Sequence, residues 1–161
     1  MAAVDYFLKI EGVDGESTDD KHKGEIDIES FSWGVSQMGT GGHGGGGGAG
    51  KASFQDLHFH THVNKSSPKL FLACATGEHF KKAVLTVRKA GKEQQEYLKI
   101  TLSDVLVSSY QDGGGSGGVV PTDQFSLNFA KIEYEYKPQK PDGTLDSAVK
   151  AGYDVAANKK V

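Results

Sequence analysis

A chain of 161 residues with 37% apolar and 24% charged residues is long enough for one domain with its own core and too short for two comfortable ones. Its 21 acidic and 18 basic residues are interspersed, so no basic footprint for a nucleic-acid backbone or an anionic membrane is present. The single cysteine, Cys74, cannot close an intrachain disulfide, so folding does not require an oxidising compartment.

The opening MAAVDYFLKIEG carries Asp5 and Lys9 and no long apolar run, so it reads as neither a signal peptide nor a membrane anchor. Within it Val4, Tyr6, Leu8 and Ile10 alternate with Asp5, Phe7, Lys9 and Glu11, the period of a strand that buries one face. A polar stretch from Gly12 to Gly24 reads as a loop. Ile26 and Ile28 then occupy even positions, whereas Phe31, Trp33 and Val35 occupy odd ones. The same reversal separates Leu98, Ile100 and Leu102 from Val105 and Val107, and Phe125, Leu127 and Phe129 from Ile132, Tyr134 and Tyr136. A one-residue shift sends every later side chain to the other face, so a strand that keeps its core contact needs a bulge or corner at the shift. Corner-turning strands suit a closed antiparallel β-barrel or an orthogonal sandwich. Further strands are predicted over Ala52 to Val63, Ala83 to Ala90 and Val149 to Ala157.

One helix is predicted over residues 66–77, with Ser66 or Ser67 as N-cap, Pro68 in the first turn and Gly77 as a left-handed stop. Leu70, Phe71, Cys74 and Ala75 form its apolar stripe. Two glycine-rich loops, Gly39 to Gly50 (GTGGHGGGGGAG) and Gly113 to Gly118 (GGGSGG), have too few side chains to fold by themselves. The first is far longer than a hairpin needs and is expected to be a connector or an arm that reaches another surface.

Gly45 to Lys51 nearly matches a phosphate-binding loop, but Ala52 stands where the magnesium-holding hydroxyl belongs, and a strand, not a helix, is predicted to follow. His58, His60 and His62 alternate on one strand, preceded by Asp56, and share a face. Adjacent imidazoles in that arrangement can chelate zinc or copper, against the plainer reading of a solvated face opposite Leu57, Phe59 and Val63. They are candidates for adventitious metal binding rather than a dedicated centre. His22, His43 and His79 are read as polar loop or helix-end residues, Cys74 as a small packed side chain, and Asp19 and Asp20 as solvated acids. No catalytic set emerges, and no cofactor is called for. Ser32 and Gly34 point away from Phe31 and Trp33, so they face solvent or line a channel.

Seven stretches in order carry a resemblance: VDYFLKIEGVDGES, EIDIESFSWGVSQ, GGAGKASFQDLHF, NKSSPKLFLACATGEHF, VLTVRKAG, EYLKITLSDVLVSSY and FSLNFAKIEYEYKPQKPDG. Together they resemble the haemolysin-coregulated protein (Hcp) family of type VI secretion, and the ending AGYDVAANKKV resembles that family's last strand and tail. The resemblance spans almost the whole chain, residues 1–161, as one domain. It implies a mainly β fold, an antiparallel β-barrel of two packed sheets with one short α-helix at its side. Six copies would close into a hexameric ring, and rings would stack into a tube. By the same resemblance the partners are further copies, the spike protein, sheath and baseplate components, and effector proteins carried in the lumen, with no nucleic acid and no membrane insertion. The chain would reside in the bacterial cytoplasm before firing and be secreted without a signal peptide. Ser32 would face the lumen, and the loop containing Gly41, Gly42, His43, Gly44 and Gly45 would contact a neighbouring subunit or ring. The histidines at 58, 60 and 62 are not part of the family pattern. Two other readings compete: a free-standing ligand-binding β-barrel, and a nucleotide- or metal-dependent hydrolase using Lys51 or His60.

Overall fold

In the computed structural model, residues 4–37, 51–90 and 94–161 are described. The strands run β1 (Val4–Ile10), β2 (Ile26–Ile28), β3 (Ser30–Ser32), β4 (Val35–Gln37), β5 (Ala52–Phe54) and β6 (Leu57–His62). After helix α1 (Ser67–Thr76) come β7 (His79–Lys89), β8 (Glu96–Gly113), β9 (Thr122–Tyr136), β10 (Val149–Asp154) and β11 (Lys159–Lys160).

All pairings are antiparallel, and they close on themselves. β1 lies between β2 and β7, β7 pairs with β8, and β8 with β9. The first half of β9 pairs with β6, which pairs with β3, and β3 follows β2 across Glu29 alone. The bent β2–β3 segment therefore joins the two ends of the sheet, with Glu29 donating its backbone N–H to His60 O at 2.8 Å. Closure matters because an unpaired edge is a template for another chain.

The parity reversals predicted in β8 and β9, and one in β7 that the sequence did not reveal, fall on one line across the barrel. Inward residues change from Phe80 to Ala83 in β7, from Leu102 to Val105 in β8, and from Phe129 to Ile132 in β9. Cross-strand register places these steps side by side, with Phe80 opposite Val105, Ala83 opposite Leu102, and both Val105–Phe129 and Leu102–Ile132 paired. Asp104 stands at the step in β8 with φ 52°, a left-handed conformation that aspartate tolerates better than most residues. The strands turn here without losing the core. Phe59, Leu57, Leu127, Phe125, Ile100 and Leu85 are almost completely buried, and Phe59 stacks on Phe125 with ring centres 5.2 Å apart. Each such side chain contributes about 1.5–3 kcal/mol by leaving water.

Several boundaries differ from expectation. The strand predicted over Ala52 to Val63 is two strands, because at Gln55–Asp56 the chain leaves the β4–β5 pairing and enters the barrel. β7 begins at His79, four residues before Ala83. Lys81 and Lys82 hide the strand because it changes face between them. The segment after Val149 is a hairpin of β10 and β11, turned at Asn158 with φ 55°. A further bulge sits at Ser108, where Val107 opposes Leu127 but Ser109 opposes Ser126.

Gly77 ends α1 in the predicted left-handed conformation at φ 73°, whereas Ser66, one of the two predicted N-caps, precedes the helix without a side-chain capping bond. Its buried face is Ser67, Leu70 and Ala73, whereas Phe71, included in the predicted stripe, is 58% exposed and Ala75 is exposed. The face is set by a buried polar tie. Ser67 Oγ donates to Asp123 Oδ2 at 2.5 Å, and Tyr110 OH donates to Asp123 Oδ1 at 2.9 Å. Burial, then the bond to Asp123, pushes the Tyr110 hydroxyl up to about 12.

The 12–24 loop is fastened over the outer side of β1 and β7. Gly15 lies so close to the neighbouring chain that a Cβ there would sit 2.4 Å from Glu25 O. Phe7, expected to face solvent, is buried beneath the loop: His22 stacks on it at 4.3 Å, and the Arg88 guanidinium lies 4.7 Å from its ring centre. Arg88 grips Asp19 with two bonds of 2.9 and 2.8 Å and reaches Asp5 at 3.2 Å. His22, read as a polar loop residue, is buried with Nδ1 2.8 Å from Glu25 and Nε2 2.6 Å from Glu96. One ring nitrogen thus faces each carboxylate.

The Arg88 hydrogen bonds hold the Asp19 carboxyl at about 2, well below its ordinary value. A free aspartate takes up its proton near about 3.9, so the stabilisation is complete above that pH and is lost as the pH falls through about 2. Asp19→Asn should therefore lower the urea midpoint at pH 7, and the gap to the parent chain should close by pH 2. Acid-titration curves that stay parallel down to pH 2 would remove Asp19 from this account.

Candidate functional site

Outward positions of β3, β6, β9 and β8 form one polar face, exposed at most positions but buried at Ser126. Alternation puts Phe31 inside, against Tyr6 with ring centres 5.8 Å apart, and leaves Ser30 and Ser32 exposed. Register then builds two rows across the strands. One runs Ser32, His58, Ser126 and Ser109, and the other runs Ser30, His60, Gln124 and Gln111. In β6, Leu57, Phe59 and Thr61 are buried while His58, His60 and His62 are exposed. Thr61 takes the inward place, donating from Oγ1 to Asp27 O at 2.5 Å, and Val63 beyond the strand is exposed.

Small hydroxyls and amides hold this surface together. The extra residue at the β8 bulge, Ser108, donates to Asp56 Oδ2 at 2.5 Å and lies 2.7 Å from Ser126 Oγ. Asn128 donates to the other Asp56 oxygen at 2.9 Å. Asp56 thus serves its own sheet. His62 forms an ion pair with Glu29, which separates it from the other two histidines in environment. The two rows across β3, β6, β9 and β8 are built from serine, histidine and glutamine side chains.

Beside it stands the arm. β4 and β5 pair through Val35–Phe54 and Gln37–Ala52, and the glycine segment joins them. Phe54 packs on Phe129 and Tyr153 at ring distances of 6.1 and 5.3 Å, and Trp33 packs on Tyr134 at 6.2 Å. The arm therefore has an aromatic root. Gly41, Gly42, His43, Gly44 and Gly45 lie outside the described residues, as does the rest of the predicted loop from Gly39 to Gly50.

The other sequence candidates do not converge. Lys51 is exposed and leads into β5, so no helix N-terminus follows the glycines to receive a phosphate. Among the described residues no three His, Cys, Asp or Glu side chains are placed to hold a metal ion. Cys74 is half-buried against the core, and His79 meets Asp104 at 2.9 Å on the surface. A cleft of about 270 Å³ includes Glu16, Asp27, Glu29 and His62. Burial, with the charges of Asp19, Asp5 and Glu16, pushes the Asp27 carboxyl up, and a hydrogen bond with the Ser17 side chain partly opposes this. A second cleft, of about 300 Å³, is lined by Lys99, Glu133, Glu135 and Lys150, whose alternating charges follow the strand register. No described helix is long and apolar enough to cross a membrane.

Sequence reasoning missed the Asp19–Arg88 and His22–Glu96 partnerships because the partners lie 69 and 74 residues apart. The buried Phe7 is the one local signal, since an aromatic on a supposedly solvated strand face implies a cover.

The family model described as "Type VI secretion system effector, Hcp" matches residues 7–136. The chain belongs to the Hcp family. It is 51% identical to Protein hcp1 of Pseudomonas aeruginosa over 158 residues, covering 97% of this chain and 98% of that protein. The fold is similar to the crystal structure of Hcp1 from Salmonella typhimurium, with TM-score 0.81, 36% identity, and coverage of 99% and 100% of the two chains. It is also similar to a structure described as a type six secretion system protein, with TM-score 0.92, 30% identity, and coverage of 99% and 100%. The barrel with one side helix is thus the Hcp fold.

Ser32 projects to solvent from an Hcp barrel whose neighbouring Phe59 projects inward. Ser32→Trp should therefore leave the urea-unfolding free energy within about 0.5 kcal/mol of the parent, whereas Phe59→Ala should cost about 3–5 kcal/mol. Comparable losses for the two would place Ser32 inside the fold.

Proposed function

We propose that this Hcp chain is a non-enzymatic wall unit of the type VI secretion tube. Six copies close into a ring, and rings stack into a tube that is assembled in the cytoplasm with spike, sheath and baseplate proteins and then exported. The Ser30–Ser32–His58–His60 surface lines the bore and contacts small effector proteins carried there.

The observation that carries this reading is the family match over residues 7–136, in a chain that relatives from type VI systems match nearly end to end. Physical features support it. A ring closed by rotation requires one patch to meet a different patch on the next copy. Exposed apolar side chains are available for such contacts: Phe71 and Leu72 on the helix, Val35 on the arm, and Val149 with Tyr136 on β10 and β9. The glycine segment between β4 and β5, with Gly41, Gly42, His43, Gly44 and Gly45 near its middle, is the proposed ring-to-ring contact. A polar surface without a deep recess suits transient contact with varied cargo, because affinity concentrates where aromatic and apolar anchors fill pockets.

Light scattering combined with negative-stain imaging tests the proposal. Six-chain rings with an open centre are expected, and a monodisperse monomer at high concentration would contradict it and favour a free-standing ligand-binding barrel. Ser32→Trp should keep the rings but lose at least most of a co-expressed small effector on purification. Deleting residues 41–48 should leave the barrel's unfolding midpoint unchanged while shortening stacked tubes seen by electron microscopy. Full-length tubes from the shortened chain would dismiss the arm as a stacking contact.

A further inference from the structure

We propose that His58 and His60 form a two-point chelate for a borderline transition-metal cation, Cu(II) foremost and then Ni(II) or Zn(II), on the outer surface of β6. Both rings are exposed, and both leave the same side of one strand, two residues apart. Two residues of extended chain span about 6.6–6.8 Å, and a pair of imidazoles leaning toward each other across that span can each place a nitrogen about 2.0–2.1 Å from a shared ion.

The surroundings leave this approach open. His58 stands between Ser32 and Ser126 on the flanking strands, and His60 between Ser30 and Gln124, all small or flexible groups. No carboxylate is paired across from either ring. The rigid, hydrogen-bonded β3–β6–β9 ladder fixes the spacing of the two Cα atoms before any ion arrives, which reduces the ordering cost of chelation.

His62 continues the alternation but is engaged differently, because its Nε2 is paired with Glu29. The sequence suggests a triplet, whereas the structure singles out the first pair. With no third His, Cys, Asp or Glu converging among the described residues, water would complete the coordination. That leaves an open, two-nitrogen site, which favours Cu(II) by the general affinity order and disfavours a closed structural zinc centre. The chelate is complete within one chain and does not depend on ring formation. If the surface lines a bore, six such pairs would ring it close to Ser32.

Isothermal titration of the tag-free chain with CuCl₂ and with NiCl₂ at pH 7.5 tests the site. The expectation is one ion per chain, bound more tightly for copper. His58→Gln and His60→Gln should each weaken binding at least tenfold, while His62→Gln and His43→Gln change it less than twofold. Circular dichroism should show all four variants folded, and His58, His60 and His62 are exposed. Wild-type affinity in the His58→Gln or His60→Gln chain would overturn the proposal. So would an equal loss in His62→Gln or His43→Gln, which would move the site elsewhere. Because binding by a dissociated monomer is predicted to equal binding by rings, failure here is separable from failure of the tube reading.

Discussion

Every long strand of this barrel must change which side of its sequence it buries, and all three must do so at the same height. β7 makes the change between Phe80 and Ala83, β8 between Leu102 and Val105, and β9 between Phe129 and Ile132, and register sets these steps in a line. The turn at Asp104, with its positive φ, lets a continuous hydrogen-bonded ladder bend through the line. The bent β2–β3 segment changes partner from β1 to β6 and completes the circuit. Without a common corner, half of each strand's apolar residues would face water, and the sheet could not return to its own beginning.

Closure in turn decides what remains available for assembly. The barrel consumes its own edges, so main-chain hydrogen bonding is left to the β4–β5 arm and the short β11 strand, where Lys159 and Lys160 discourage casual pairing. Outward surfaces divide by chemistry: a smooth polar surface on β3, β6, β9 and β8, a charged ladder on β8 to β10, and apolar side chains on α1 and β10. The proposed role as a wall unit calls for this division, with firm contact between copies and loose contact with passengers. Among the described residues the most chemically suggestive ones stand apart. His58 and His60 sit on a flat strand, and His22 is enclosed by Glu25, Glu96 and Phe7.

Much of this was legible in the sequence, and the failures have physical causes. Parity reversals are local and survive in the residue order, which is why the corners at 28–31, 102–105 and 129–132 were readable. The start of β7 was hidden because Lys81 and Lys82 straddle its change of face, so no alternation appears there. The split at Gln55–Asp56 was missed although parity changes there, from Ala52 and Phe54 to Leu57, Phe59 and Thr61, because the three residues of β5 are too few to show an alternation of their own. For α1 the cap residues were informative, but the buried face depended on Ser67 reaching Asp123, a contact 56 residues distant. Ser32's exposure followed from alternation, and its neighbours did not, since His58, Ser126 and Gln124 come beside it through pairing alone.

A cryo-electron microscopy map of the assembled protein bears most directly on the claim that this barrel is a wall unit with its polar surface turned inward. The account predicts six copies around an open bore, with Ser30, Ser32, His58 and His60 of every copy facing that bore. A map in which this surface lies on the outside of the ring, or is buried between neighbouring copies, would contradict it.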